Sequence, residues 1–267
     1  MRGSFGKASR IGEEPSHYKF KLKSVLAFGI AAAMVILAAC DPDRQLATMT
    51  YGGNGPPTIV LLHGYGSSAE QWAPFTQTIR LPPGGRFVFP QAPDPTSPPD
   101  GPPSGRGWWR LALTSHIPPG KTVPDLSTTR PPGLKVAASR VEDLLESLEQ
   151  SPGGPVILGG FSQGAMVASE VAFRTDMQLD ALVLLSGTLV DEASWEREFH
   201  KRRGMPVFLS HGLSDPVLPF EVAERFRSKL EAAGVRVTWV PFDGGHEIPA
   251  AVISRLNGFI AALRLTH

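Results

Sequence analysis

A serine lies between glycines in residues 160–164 (GFSQG), directly after the apolar residues 156–158. The G-x-S-x-G pattern is typical of a sharp strand-to-helix turn that strains the serine backbone and exposes its hydroxyl at a sheet edge. The glycines are needed because a Cβ atom would clash in so tight a turn. We therefore predict that Ser162 is a nucleophile, the alternative being a structural serine in a strand–helix turn.

A serine hydroxyl is a weak nucleophile unless a base accepts its proton. In folds with this turn the partners follow in the chain order Ser, Asp or Glu, then His. Asp215 follows the apolar residues 206–210, and His246 lies in a glycine-containing loop before the last predicted helix. We predict Asp215 as the orienting acid and His246 as the base. The rivals are Asp191 and Asp243 for the acid, and His200, His211 and His267 for the base.

Acyl transfer builds negative charge on a carbonyl oxygen, which backbone N–H donors stabilise. One donor is expected from the residue after the nucleophile, Gln163, and the other from a loop after an early strand. Residues 63–66 (HGYG) form such a loop, and Tyr65 N–H is the predicted second donor. His63 could itself be a base, but we predict a structural role for it.

Strand-like and helix-like patterns alternate along the chain from residue 57 onwards. This alternation predicts an α/β fold, with a mostly parallel central sheet flanked by helices on both faces. The predicted strands lie at 58–62, 86–90, 156–158, 181–185, 206–210 and 236–240, and the predicted helices at 136–148, 163–174, 222–230 and 248–263.

The composition restricts the range of functions. The 267 residues include 42% apolar residues, carry a formal net charge of +1 and contain one cysteine. Such a chain can bury one full-sized core, and no basic surface predicts a nucleic-acid partner. A lone cysteine excludes an intrachain disulfide and metal sites built on paired cysteines.

The N-terminal region has the layout of a secretory signal, with lysines at 19, 21 and 23 before the apolar residues 25–39. A membrane-spanning helix needs about 20 residues, so this run is short. Residues 37–40 (LAAC) resemble the lipobox of bacterial lipoproteins, the alternative being an uncleaved anchor. The resemblance implies a signal peptide at 1–39, a lipidated Cys40 and attachment to a membrane of the bacterial cell envelope. We then expect a linker at 40–56 and the folded domain at 57–267.

Residues 93–132 depart from the alternating pattern, since they hold eleven prolines and little apolar periodicity. They predict either a long solvated loop or a lid or substrate-binding insertion. Two adjacent tryptophans, Trp108 and Trp109, favour a functional role for its middle.

Six motifs occur in one order along the chain, and together they resemble the phospholipase/carboxylesterase family, which includes the acyl-protein thioesterases. The resemblance covers about residues 57–264. The motifs are residues 61–66 (LLHGYG), 89–93 (FPQAP), 107–109 (GWW), 160–165 (GFSQGA), 211–219 (HGLSDPVLP) and 244–248 (GGHEI).

The resemblance implies an α/β-hydrolase fold and an esterase that needs no metal or cofactor and cleaves carboxylic esters or thioesters. It also implies a triad of Ser162, Asp215 and His246, oxyanion donors at Tyr65 and Gln163, and an acyl site beside Trp108 and Trp109. The long proline-rich segment and a Trp-Trp-Arg sequence, where members often have Trp-Phe-Asp, leave the substrate open.

Two other functional classes stay open at this point. One is a peptidase or a polyester or feruloyl esterase of the same fold, and the other is a non-catalytic, surface-binding lipoprotein. The oligomeric state and the choice between inner and outer membrane are not predicted.

Overall fold

The computed structural model describes residues 45–96, 105–111, 125–149 and 154–263. All of them belong to the unit Cys40–His267. The predicted signal peptide, the lipidated Cys40, and residues 97–104 and 112–124 of the proline-rich segment lie outside the described residues. Within the described ranges, no helix has the length and apolarity needed to cross a membrane.

Nine strands and six α-helices make up the described fold. The strands are β1 (Thr48–Gly52), β2 (Thr58–Leu62), β3 (Arg86–Pro90), β4 (Asp94–Thr96), β5 (Gly105–Gly107), β6 (Val156–Phe161), β7 (Ala181–Leu185), β8 (Pro206–Gly212) and β9 (Arg236–Phe242). The helices are α1 (Ala69–Trp72), α2 (Leu134–Glu149), α3 (Gln163–Arg174), α4 (Glu192–Glu196), α5 (Phe220–Ala232) and α6 (Ala250–Ala262), with 3₁₀ turns at Ala73–Gln77 and Phe199–Arg202.

Seven strands form the central sheet in the order β1-β3-β2-β6-β7-β8-β9, and all neighbours except β1 and β3 run parallel. Each face of the sheet carries its own hydrophobic cluster. In β2, Val60 and Leu62 belong to one cluster, whereas Ile59 and Leu61 belong to the other. Because both faces of such strands are buried, their sequences are continuous runs of apolar residues. The predicted fold class, a mostly parallel sheet between helical layers, is confirmed.

The edge strand β1 was not predicted, since we assigned residues 40–56 to a linker. It pairs antiparallel with β3, with Met49 opposite Phe89 and Tyr51 opposite Phe87. Its residues alternate between exposed and half-buried, and threonines occupy two of its three exposed positions. An edge strand of this kind lacks the apolar run that marked the central strands. The folded domain therefore begins before residue 57.

The described parts of the proline-rich segment are folded. Strands β4 and β5 pair antiparallel in a small second sheet. Further along, Glu192 N–H donates to Ser127 O and Asp191 N–H donates to Thr129 O. A long solvated loop is therefore the wrong description for these parts of the segment.

An aromatic cluster on one face of the sheet anchors α3, the helix that begins next to Ser162. Phe173 is fully buried, and its ring centroid lies 4.7 Å from Phe199, 6.0 Å from Trp195 and 6.0 Å from Phe226. Edge-to-face aromatic pairs at these separations add to the free energy of burying the rings.

We predict that Phe173→Ala lowers the free energy of unfolding by about 3–5 kcal/mol, because it removes a fully buried ring and leaves a cavity. Urea denaturation measures the change. Val136→Ala, at a position 59% exposed, is the control and should stay within about 0.5 kcal/mol of the unaltered protein. A loss below 1 kcal/mol at Phe173 would contradict the packing described.

Candidate active site

Ser162 occupies the turn between β6 and α3. Its backbone has φ 54° and ψ −118°, a conformation that costs a non-glycine residue about 1–3 kcal/mol. Its N–H donates to Leu185 O of the neighbouring strand at 2.9 Å. A Cβ atom at Gly160 would overlap the Gly164 backbone, and one at Gly164 would overlap Leu62 O. The two glycines therefore permit the turn that presents the serine.

Ser162, His246 and Asp215 form one chain of hydrogen bonds. His246 Nε2 lies 2.8 Å from Ser162 Oγ, and His246 Nδ1 lies 2.8 Å from Asp215 Oδ2. A carboxylate only accepts, so Nδ1 carries the proton and Nε2 accepts from the serine hydroxyl. In this arrangement an imidazole can remove the hydroxyl proton as the oxygen attacks.

The Asp215 carboxylate is held by several donors at once. Oδ1 accepts from the N–H groups of Val217 at 2.8 Å and Leu218 at 2.9 Å, while Oδ2 faces His246. Burial by itself would raise the pKa of Asp215. The hydrogen bonds from His246, Leu218 and Val217 outweigh burial and hold that pKa below its ordinary value. The carboxylate thus stays charged while it orients the imidazole.

The loops after β8 and β9 bring the acid and the imidazole together. These strands are parallel neighbours, so their carboxyl ends meet at one edge of the sheet. Leu213 N–H donates to Phe242 O at 2.9 Å, and Ser214 N–H donates to Gly244 O at 3.0 Å. A Cβ atom at Gly212 would overlap Gly245 O, so glycine is required for this approach.

Ser186 contacts the histidine loop and was missed by the sequence analysis. It has φ 45° and a fully buried side chain, and its Oγ donates to Glu247 O at 3.3 Å. Its N–H donates to Ser210 O at 2.9 Å, which joins the ends of β7 and β8. The only local signal is a serine–glycine pair directly after an apolar strand.

His211, the rival base, is the penultimate residue of β8 and is fully buried. Its Nε2 lies 3.0 Å from Leu218 O and 3.3 Å from Asp215 Oδ2. Burial lowers the pKa of His211 and outweighs the Leu218 carbonyl and the Asp215 carboxylate, which both raise it. His211 is therefore a neutral group that packs behind the carboxylate, away from Ser162.

Tyr65 lies in a tight turn against the serine. Ser67 N–H donates to Gly64 O at 3.2 Å, and Gly66 has φ 79°, which favours glycine at the third position of such a turn. The turn's hydrogen bond does not use the Tyr65 N–H. A Cβ atom at Gly64 would come within 3.4 Å of Ser162 Cβ, so the turn directly adjoins the serine.

Gln163 is the first residue of α3. The first N–H groups of a helix have no acceptor within it, and the helix dipole makes this end partly positive. The Gln163 N–H is therefore available beside the serine, at the end of the helix that favours an anion.

His63 is a structural group rather than a second base. Its Nδ1 donates to Gly64 O at 2.8 Å, and its Nε2 accepts from Ala92 N–H at 3.1 Å. Burial lowers the pKa of His63, and the nearby positive charge of Arg106 lowers it further. Together they outweigh the hydrogen bond to the Gly64 carbonyl, which raises the pKa. Because Nε2 must accept from an N–H, the neutral form is the one that fits.

Trp108 and Trp109 lie in the core, with 2% and 5% of their surface exposed. The Trp108 indole Nε1 donates to His63 O at 2.8 Å. The Trp108 indole therefore supports the turn at 63–67. Direct contact of these two side chains with a substrate stays a prediction.

The sheet, the strand–turn–helix at Ser162 and the loops at its carboxyl edge define the class as an α/β-hydrolase-fold protein. Residues 49–264 match the sequence profile of the phospholipase/carboxylesterase family, so the chain belongs to that family. It is an ester-hydrolysing enzyme.

Individual relatives agree with this assignment. The chain is 24% identical over 200 residues to acyl-protein thioesterase 1 of Yarrowia lipolytica, covering 70% of this chain and 82% of the relative. It is 29% identical over 168 residues to acyl-protein thioesterase 1 of Kluyveromyces lactis, covering 61% and 71%. The crystal structure of esterase PE8 superposes with a TM-score of 0.70 at 29% identity, covering 82% of this chain and 99% of that one. The structure of Zea mays acyl-protein thioesterase 2 shares the fold, with a TM-score of 0.64, 24% identity and coverage of 81% and 98%.

The two buried histidines predict how stability depends on pH. Their folded-state pKa values lie below the unfolded value of about 6.5, so the unfolded chain binds more protons below that pH. Stability should therefore fall as the pH drops below about 6.5. Urea denaturation at pH 7.5 and 5.5 measures the loss.

The variants His63→Gln and His211→Gln should each show a smaller loss between these two pH values than the unaltered protein. His200→Gln, at an exposed position, is the control and should leave the loss unchanged. Equal losses in all four proteins would show that neither buried histidine causes it.

Proposed function

We propose that the enzyme cleaves carboxylic esters or thioesters with Ser162 as nucleophile, His246 as general base and acid, and Asp215 as the orienting carboxylate. The observation that supports this most is the continuous chain of 2.8 Å hydrogen bonds from Ser162 Oγ through His246 to Asp215 Oδ2. The chain ends on a carboxylate whose depressed pKa keeps it ionised. The non-catalytic alternative gives no reason for a strained serine in this contact.

In the first half of the reaction Ser162 Oγ attacks the carbonyl carbon as His246 Nε2 takes the hydroxyl proton. The N–H groups of Tyr65 and Gln163 donate to the oxygen that becomes negative, and each such donor contributes about 3 kcal/mol. The tetrahedral intermediate collapses, His246 protonates the departing alcohol or thiol, and an ester to Ser162 remains. Water, deprotonated by His246, then releases the acid and restores the serine.

The names of the relatives support an acyl ester or thioester as substrate, and the fold alone does not choose between chemistries. A panel of p-nitrophenyl esters of short and long acyl chains, an acyl thioester and a peptide substrate separates the alternatives. We expect turnover of ester and thioester and none of the peptide. Preferential turnover of the peptide would favour the peptidase alternative.

Ser162→Ala should lower ester turnover by about 10⁴-fold or more, because no other group supplies the nucleophile. It should also abolish covalent labelling by a fluorophosphonate probe. Ser228→Ala, on the exposed face of α5, is the matched control and should leave both unchanged. Activity or labelling that survives in Ser162→Ala, in a protein of unaltered circular dichroism, would refute the assignment.

We also propose that the chain is a bacterial lipoprotein, lipidated at Cys40 and held in the cell envelope with its enzyme domain outside the cytoplasm. Support comes from the sequence: the sole cysteine follows Leu-Ala-Ala after a lysine-flanked apolar run. Lipid chains bind membranes by about 0.8 kcal/mol per buried CH₂ group, so several chains on one cysteine anchor a protein firmly.

Cys40→Ser should prevent labelling of the full-length chain by an alkyne analogue of palmitate in a bacterial host, because it removes the thiol that carries the lipid. Ser162→Ala is the control, since it should remain labelled and membrane-bound. Labelling that persists in Cys40→Ser would place the lipid elsewhere and overturn the proposed anchor.

A further inference from the structure

The side chain of Gln163 has two partners that the reaction itself does not require. It is 2% exposed, its Oε1 accepts from Trp108 N–H at 2.8 Å, and its Nε2 donates to Trp109 O at 2.9 Å. These partners are backbone groups of consecutive residues. The amide therefore holds the segment that follows β5 against the first turn of α3.

The strand β5 in turn holds the turn at residues 64–67. Arg106 N–H donates to Ser67 O at 2.8 Å, and Gly66 N–H donates to Arg106 O at 2.9 Å. A Cβ atom at Gly105 would overlap Gly66 O, so the two backbones touch. The position of β5 thus determines the position of the turn.

Gly107 lies close to the side chains of Tyr65 and Gln163, the two residues whose backbone N–H groups are the candidate oxyanion donors. A Cβ atom on it would come within 2.6 Å of Tyr65 Cδ2 and 3.3 Å of Gln163 Oε1. The backbone of β5 is therefore in contact with the Tyr65 ring on one side and the Gln163 amide on the other. A shift of β5 would move Tyr65, whereas the Gln163 N–H, being part of α3, would stay in place.

We propose that Gln163 is a positioning residue whose side-chain amide, through Trp108, Trp109 and β5, sets the Tyr65 N–H relative to the Gln163 N–H. One residue would thus supply one oxyanion donor from its backbone and fix the other through its side chain. The inference rests on the proposed function of the site.

Glutamine is suited to this task because its amide accepts and donates at the same time. Methionine matches its length but forms neither strong hydrogen bond, and the substitution keeps the backbone N–H at position 163. Side-chain variants at this position therefore test the placement of Tyr65 without deleting a donor.

The experiment compares Gln163→Met with the unaltered enzyme on a p-nitrophenyl ester, with rates normalised to the fraction of enzyme that a fluorophosphonate titrates. We expect kcat to fall about 10- to 100-fold with KM within about twofold, because the donors act on charge that develops only in the transition state. Affinity for a trifluoromethyl ketone, which forms a tetrahedral oxyanion adduct, should fall by the same factor. Gln178→Met, at an exposed position whose amide donates to Asp176 O, should match the unaltered enzyme.

A role confined to core stability predicts a different outcome, in which the melting temperature falls but kcat per titrated site and ketone affinity do not. That outcome would overturn the inference, and so would an equal loss in kcat and in ground-state binding. Activity retained in Ser162→Ala would refute the proposed function, and the inference together with it. An inactive Ser162→Ala combined with an unchanged kcat in Gln163→Met would refute the inference and leave the proposed function standing.

Gly107→Ala provides a second test that stands by itself where Gln163→Met does not fold, and that can be combined with Gln163→Met where both fold. It leaves Gln163 intact and presses a methyl group against Tyr65, so it should lower kcat and ketone affinity by matching factors with little change in KM. Combined with Gln163→Met it should give less than the product of the two single effects, since both act on the same displacement. Unaltered ketone affinity in Gly107→Ala, or multiplicative effects in the double variant, would contradict the coupling.

Discussion

The site depends on how closely separate backbone segments approach one another at the carboxyl edge of the sheet. Ser162 can adopt its strained conformation only because Gly160 and Gly164 leave no Cβ atom in the way of the backbone at Gly164 and Leu62. The backbone strain and the placement of the nucleophile therefore arise in the same turn. The strain that destabilises the serine also aims its hydroxyl at His246.

Buried polar groups hold the surrounding loops, and most of them bond to backbone rather than to side chains. His63 accepts from Ala92 N–H, Asp215 accepts from Val217 and Leu218, and Gln163 bonds both tryptophan backbones. An unsatisfied polar group costs about 1–3 kcal/mol in a core, so each contact resists displacement of its loop. The neutral histidines and the charged aspartate therefore follow from the partners that the fold provides.

Parts of this arrangement could be predicted from the sequence because they leave local signals. Parallel strands buried on both faces gave unbroken apolar runs, and the chain order of Ser, Asp and His assigned Asp215 and His246 to loops that the structure brings together. Strand β1 alternates at the sheet edge, and β4 and β5 have three residues each, too few to show a period. Ser186 owes its role to a contact with a residue 61 positions away, which the serine–glycine pair at its own position does not reveal.

The tryptophan pair, which the family resemblance places beside an acyl site, also shows how far a local signal reaches. Adjacent tryptophans indicate burial, but they do not say whether protein or substrate covers them. In the structure both side chains are buried, Trp108 donates to His63 O, and the backbones of both residues are bonded to Gln163. Their contact with a substrate stays a prediction. The proline-rich segment thus contributes to the site through its backbone, which holds the turn of Tyr65. Hydrogen bonds to backbone do not depend on which side chains the segment carries. The constraint on its composition therefore falls on positions such as Gly105 and Gly107, where a Cβ atom would overlap Gly66 O or the Tyr65 ring.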